Sequence, residues 1–170
     1  MTPAGFQLRD ATTADLPAIV EIYNATIPGR MATADTEPIT VASRLAWFEA
    51  HNPATRPLWV LVDDGSNTVA AWLSFNSFYG RPAYNPTAEL SLYVAESYRR
   101  RGLGRWLLQQ AIGRAPGCEL SNLLGFIWAH NGASLRLFEE FGFERWGHLP
   151  RVAILDGIER DLIIVGRRVG

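Results

Sequence analysis

The chain has a single cysteine, Cys118, so it can form no disulfide within itself and build no cysteine-ligated zinc site. It has no apolar run approaching the ~20 residues that a membrane-crossing helix needs, and no signal peptide is expected ahead of its first patterned segment. It has no surplus of either charge. A formal net charge of −1 gives no electrostatic reason to expect a nucleic-acid or membrane-surface partner. Its three histidines, His51, His130 and His148, lack metal-ligand spacing, so no metal is expected. Repeats, low-complexity tracts and linkers are also missing. What is present is a globular composition, 48% apolar and 19% charged over 170 residues. That supports a sizeable core in one domain spanning 1–170, in a cytoplasmic protein, without a separate cofactor domain.

Phe6 and Leu8, alternating with polar neighbours, read as a first strand. A helix follows from about Thr13, capped by Thr12 or Thr13, with Leu16, Ile19, Val20 and Tyr23 on one face. A second helix is expected over Thr40–Ala50, with Val41, Leu45 and Phe48 on one side. Leu58–Val62 and Val69–Phe75 read as a hairpin turning at Asp64-Gly65. A loop rich in aromatics, Gly and Pro, Phe78–Pro86, leads into a strand at Thr87–Val94. A helix then runs to about Ala115, followed by a strand at Leu123–Trp128 and a helix from Asn131 to Gly142. Phe143–His148 reads as a strand, and Val152–Leu155 with Arg160–Val165 as a closing hairpin about Asp156-Gly157. The sum is an α+β fold of about seven strands and four helices.

The sharpest local pattern is Arg99-Arg100-Arg101-Gly102-Leu103-Gly104-Arg105, between a strand and a helix. Glycines let a backbone fold tightly with successive N–H groups converging, and the helix start adds its positive end. Together these make a site for a pyrophosphate, with the arginines adding charge. A P-loop is excluded because Arg105-Trp106 follows Gly104 where Lys-Ser/Thr is required. A dinucleotide fingerprint is excluded because position 107 is Leu107, not a third glycine. The competing interpretation is a solvated basic turn before an ordinary helix.

Arg99-x-x-Gly102-x-Gly104 resembles the Arg/Gln-x-x-Gly-x-Gly/Ala signature of the GNAT N-acetyltransferases. The segment from Asn131 through Ser134, Leu137, Gly142 and Phe143 is similar to the next landmark of that family. Arg44-Leu-Ala-Trp47-Phe48, Ser74-Phe75, Glu89-Leu-Ser91-Leu-Tyr93-Val94 and Gly147-His148-Leu149 resemble its phosphinothricin and methionine sulfoximine acetyltransferase branch. The resemblance implies a GNAT fold, a single mixed, mostly antiparallel seven-stranded sheet splayed between strands 4 and 5. It also implies acetyl-CoA as co-substrate. Leu92, Tyr93 and Val94 would offer backbone groups to the pantetheine arm, and Arg99, Arg100, Arg101, Gly102, Leu103, Gly104 and Arg105 would hold the pyrophosphate. Asn131 and Ser134 would contact the cofactor.

Acetyl transfer needs an unprotonated amine, a positioned thioester and a donor for the developing oxyanion. Along Thr87–Val94, Glu89, Ser91 and Tyr93 share one face and Ala88, Leu90, Leu92 and Val94 the other. A carboxylate in so apolar a strand is ill suited to packing, and partial burial makes it a better base. Glu89 also stands at the position the family uses for this role, so it is expected to take the amine proton; a structural salt bridge is the alternative. A backbone N–H of Val94 or its neighbour would meet the oxyanion. Phe138 occupies the position where many family members place a thiolate-protonating tyrosine. Cys118 has no partner histidine and reads as incidental.

Acceptor specificity in this branch resides in the segment after the first helix and the loop before Glu89. Gly29 and Ala34 stand where larger aromatics are usual, which implies a wider pocket. Phe78, Tyr79 and Arg81 are the candidate acceptor contacts, Arg81 through a substrate carboxylate. The expected activity is acetylation of a small-molecule amine, an amino acid or analogue, by direct attack on the thioester. Acetylation of a protein or peptide amine, and a non-catalytic acyl-CoA sensor, are the alternatives. The family resemblance also suggests a homodimer.

Overall fold

The computed structural model describes residues 2–170. Its strands are β1 Phe6–Asp10, β2 Leu58–Asp63, β3 Thr68–Ser77, β4 Thr87–Val94, β5 Asn122–Trp128, β6 Glu144–Leu155 and β7 Ile158–Arg168. They form one sheet in the order β1-β2-β3-β4-β5-β7-β6. Every adjacent pair is antiparallel except β4 and β5, which are parallel. The helices are α1 Leu16–Asn24, α2 Val41–Glu49, α3 Leu103–Arg114 and α4 Gly132–Glu140.

Apolar side chains alternate across the strands and fill both faces. Leu103, Leu107, Leu108 and Ala111 of α3, with Leu135 and Phe138 of α4, seal one face. Ile19 and Ile22 of α1, with partly buried Trp47 and Phe48 of α2, cover the other. Cys118 lies in the first of these clusters, fully buried.

The parallel pairing is short. Thr87 registers with Asn122, Ala88 with Leu123 and Glu89 with Leu124, and the register ends there. Past that point β4 stays with β3 as far as Val94, while β5 stays with β7 as far as Trp128. The sheet therefore forks at Glu89.

Two elements differ from the sequence reading. In α2, Val41 and Leu45 are exposed, and the inward stripe is Arg44, Trp47, Phe48 and, just beyond the helix, His51. That spacing of three, four and seven is as good a helical face as the expected one. Trp47 decides between them by packing on Trp72 of β3, ring centroids 5.7 Å apart. The expected strands Phe143–His148 and Val152–Leu155 are one strand, β6, with register shifts after Arg145 and Leu149. Pro150 has no N–H to give, but β6 is a sheet edge, where a bulge absorbs it. Arg151 there takes a positive φ and donates its N–H to the Asp161 carboxylate at 2.9 Å.

Candidate active site

The fork opens into a cavity of about 730 Å³, and Glu89, at its apex, lines it. The Glu89 carboxylate makes no ion pair or hydrogen bond among the described residues, so the structural salt bridge is not found. Burial alone pushes its pKa above the ordinary carboxylate value. Behind it, the Asn76 amide donates to the hydroxyls of Ser74 and Ser91, each at 3.1 Å, and accepts the Trp47 indole N–H at 2.9 Å.

Ala95 N–H donates to Ala70 C=O at 2.9 Å, and the unbroken register below pairs Tyr93 with Trp72 and Ser91 with Ser74. Antiparallel bonding alternates, so residues 91, 93 and 95 spend their main-chain groups on β3. Leu92 and Val94 turn theirs into the fork, where β5 has left. Arg99 Nε reaches the Val94 carbonyl from that side at 3.4 Å. Tyr93 thus enters the cleft with its ring, while its main-chain groups, which the family resemblance implied would face the cofactor arm, pair with β3. The ring stacks on Trp72, centroids 4.6 Å apart, and its hydroxyl donates to Ala32 C=O at 3.4 Å. Burial holds that phenol far above its usual pKa.

At the outer end of the fork, Arg100 and Gly102 both have left-handed φ, 60° and 77°. Gly102 caps α3, whose first internal bond runs from Trp106 N–H to Gly102 C=O. Among the described residues, no acceptor meets the N–H groups of Leu103, Gly104 and Arg105. These amides and the helix start form an anion-binding concavity. A Cβ on Gly104 would project toward Val94 and Leu92, 3.6 and 3.7 Å from their nearest atoms, into the cleft itself. An elongated diphosphate carrying an amide-bearing arm fits this arrangement: anion end on the α3 amides, arm along Leu92 and Val94. The arginines are less uniform than the sequence suggested. Arg101 lies over the Tyr98 ring and donates to Ser97 C=O, and Arg105 pairs with Glu140. Arg100 has no partner among the described residues.

Asn131 and Ser134 also line the cavity. Both arms of Asn131 are engaged: its Oδ1 accepts Ser134 N–H as the α4 cap, and its Nδ2 donates to Met31 C=O at 2.8 Å. Phe138 is buried in the cavity wall.

Sequence reasoning missed the roof. Four successive carbonyls of the loop after α1 are held by side chains from other elements. Arg30 C=O faces His130 Nε2 at 2.8 Å, and Met31 C=O accepts from Asn131. Ala32 C=O accepts from Tyr93, and Thr33 C=O accepts the Trp128 indole N–H at 3.3 Å. Arg30 also donates twice to the Asp156 carboxylate in the β6–β7 turn, at 2.9 and 3.1 Å. Residues 30–33 thus strap the cavity from the α1 side to the β5–α4 side. Of the two small residues taken to widen the pocket, Ala34 lines the cavity and Gly29 does not.

Phe78, Tyr79 and Arg81 do not line the cavity. Phe78 packs with Tyr79 and Tyr84 and lies 6.4 Å, centroid to centroid, from Phe126, which is a lining residue. The aromatic loop is drawn together by its own rings, which leaves Arg81 exposed at its edge. Arg44 is the cationic side chain that faces the cavity instead.

A sheet forked at a lone carboxylate, with a glycine-opened anion cradle at the fork's mouth, is the architecture of an acyl-CoA-dependent acetyltransferase. Residues 16–143 match the acetyltransferase (GNAT) family, and the chain belongs to that family. It is 51% identical over 162 residues to YwnH of Bacillus subtilis, covering 95% of this chain and 98% of that one. The phosphinothricin acetyltransferase name of that protein is provisional. It is 35% identical over 155 residues to an L-methionine sulfoximine/L-methionine sulfone acetyltransferase of Pseudomonas paraeruginosa, covering 91% and 90% of the two chains. Among solved structures, a phosphinothricin acetyltransferase of Sinorhizobium meliloti in complex with AcCoA superposes with a TM-score of 0.90 at 27% identity, over 98% of this chain and 89% of that one.

Proposed function

We propose that the protein transfers the acetyl group of acetyl-CoA to the amine of a small amino acid or amino-acid analogue, within one domain. The observation that carries this reading is the unpartnered Glu89 carboxylate at the apex of the fork. The N–H groups of Gly102–Arg105 would cradle the pyrophosphate, with Arg99 and Arg100 beside it. Leu92 and Val94 would pair with the pantetheine amides as an added strand does. Glu89 takes the proton of the acceptor amine, directly or through a water. The freed nitrogen attacks the thioester carbonyl carbon, and the carbon–sulfur bond breaks.

The charge that develops on the carbonyl oxygen needs a fixed donor. Tyr93 N–H is spent on β3, and Val94 lies at the phosphate end. Leu92 N–H, nearer Glu89, is therefore the assigned donor. Phe138 cannot protonate the thiolate, which leaves that step to solvent. The relatives named for small amino-acid analogues support the substrate class. The strap supports it too, since a roofed cavity leaves little passage for a polypeptide. Among the described residues, no helix is long and apolar enough to cross a membrane. Trp146, Val152, Ile154 and Ile158 are exposed apolar side chains on the β6–β7 hairpin, which we take as the contact region of a homodimer that light scattering would detect.

Glu89→Gln should lower kcat by roughly 100-fold or more, the range expected for losing a general base. Calorimetry should show acetyl-CoA affinity nearly unchanged. The wild-type pH profile should lose activity as Glu89 is protonated, at a pH above the ordinary carboxylate range. Turnover in the Gln variant equal to wild type at neutral pH would remove Glu89 from the mechanism.

A further inference from the structure

Among the described residues, the cavity wall carries one cation and one anion, Arg44 and Glu89. Everything else that faces it is apolar or neutral. We propose that Arg44 anchors the carboxylate of the acceptor, so that the site selects α-amino acids and their close analogues over simple amines. This rests on the acetyl-transfer reading above.

Arg44 is held like a recognition group rather than a spent structural ion. Its guanidinium lies 5.0 Å from the Tyr23 ring centroid and 5.6 Å from that of Trp47, which fixes its plane. Trp47 is itself locked by its indole bond to Asn76. Yet of the five N–H donors of the fork, the structure engages one, on Asp35 Oδ2, and that bond is 3.5 Å long. Asp35 is the weaker claimant. Its side chain is 42% exposed and already accepts the Tyr23 hydroxyl. A planar guanidinium with idle donors, stacked in a cavity wall, suits bidentate capture of a carboxylate.

The second charge is placed to complete the match. Tyr93 shares the cavity wall with both: it stands on the same face of β4 as Glu89, and its ring lies 5.3 Å, centroid to centroid, from Tyr23, over which Arg44 sits. An α-amino acid carries its carboxylate and amine on one carbon. With the carboxylate on Arg44, the amine turns toward Glu89 and the fork, and the side chain is left the remaining volume beneath residues 31–34. A simple amine would leave the Arg44 fork idle and lose the register that presents its nitrogen to Glu89.

The test is a thiol-release assay on a panel of L-amino acids, L-methionine sulfone among them, each beside its methyl ester. Wild type should favour the acid over the ester by roughly 10- to 100-fold in kcat/KM, the range a charged hydrogen bond commands. Arg44→Gln should bring that ratio close to one, chiefly through KM of the acid. Arg44→Lys should restore part of it. Acetyl-CoA affinity, measured by calorimetry, should stay constant in both variants and shows that they fold. Asp35→Asn should lower KM for the acid by removing the competitor. An acid-to-ester ratio unchanged in Arg44→Gln would overturn the role of Arg44 and leave acetyl transfer standing. Absence of thiol release from every acceptor, with acetyl-CoA bound, would overturn the acetyl-transfer reading and this proposal with it.

Discussion

Glu89 is stored in the fold at a cost. Burial raises its pKa from 4.5, so the native state holds its proton more tightly than the unfolded chain does. Stability from this group is therefore full below the unfolded pKa. It declines as pH rises toward the folded pKa, and stays reduced above it. Glu89→Gln, which cannot ionise, should melt higher than wild type at pH 7 and nearly level with it at pH 4. Calorimetric melting at the two pH values reads the difference; equal gains at both would show that the charge costs nothing. The strand's alternation of polar and apolar residues made Glu89 legible in the sequence. Arg44 was not legible. Two helical stripes compete in α2, and an arginine at an inward position is ranked below Val41 and Leu45 by hydrophobicity alone. The stripe of Arg44, Trp47, Phe48 and His51 carries the two largest rings of the helix, and it was the signal available.

At the level of elements, two glycines make opposite demands. Gly104 opens α3 beside β4, and a methyl there meets Val94 and Leu92 at ordinary contact distance. Gly104→Ala, which the family signature admits, should leave the melting temperature and acetyl-CoA binding nearly unchanged, whereas Gly104→Leu should weaken acetyl-CoA binding, measured by calorimetry, several-fold by filling the cleft. Gly125 in β5 has no such room: a Cβ would lie 2.9 Å from a Phe138 ring carbon and 3.0 Å from a Val165 methyl. Gly125→Ala should cost about 1–3 kcal/mol of stability, as overpacked cores do, and denaturant titration would measure it. Phe138 stands at the position expected for a tyrosine; here its ring packs over Gly125 and against Phe143, centroids 4.9 Å apart. Strand and helix positions could be read because each rests on local periodicity and on turns such as Asp64-Gly65 and Asp156-Gly157. The continuity of β6 could not, since a proline inside a strand looks like an end until its neighbour β7 is known.

On the scale of the whole molecule, the strap joins parts of the chain about a hundred residues apart, which no local pattern reveals. Its carbonyls have no side-chain signature, and residues 25–40 show no period. Its fastening to the β6–β7 turn by Arg30 and Asp156 is open to solvent, which screens the pair, so it adds little to stability. Asp156→Ala should therefore lower the melting temperature by no more than about 4 °C. Its larger effect should fall on the acceptor, as a raised KM with acetyl-CoA affinity constant. Steady-state kinetics would show whether the roof shapes the acceptor chamber.

The fork has one more consequence, visible without any substrate. Along β4 the amide hydrogens alternate between a bonded strand and an open slot. Deuterium should replace those of Leu92 and Val94 quickly and those of Ser91 and Tyr93 slowly, a comb of fast and slow sites within four residues. Acetyl-CoA, by filling the slot, should slow the fast teeth and leave the slow ones as they were.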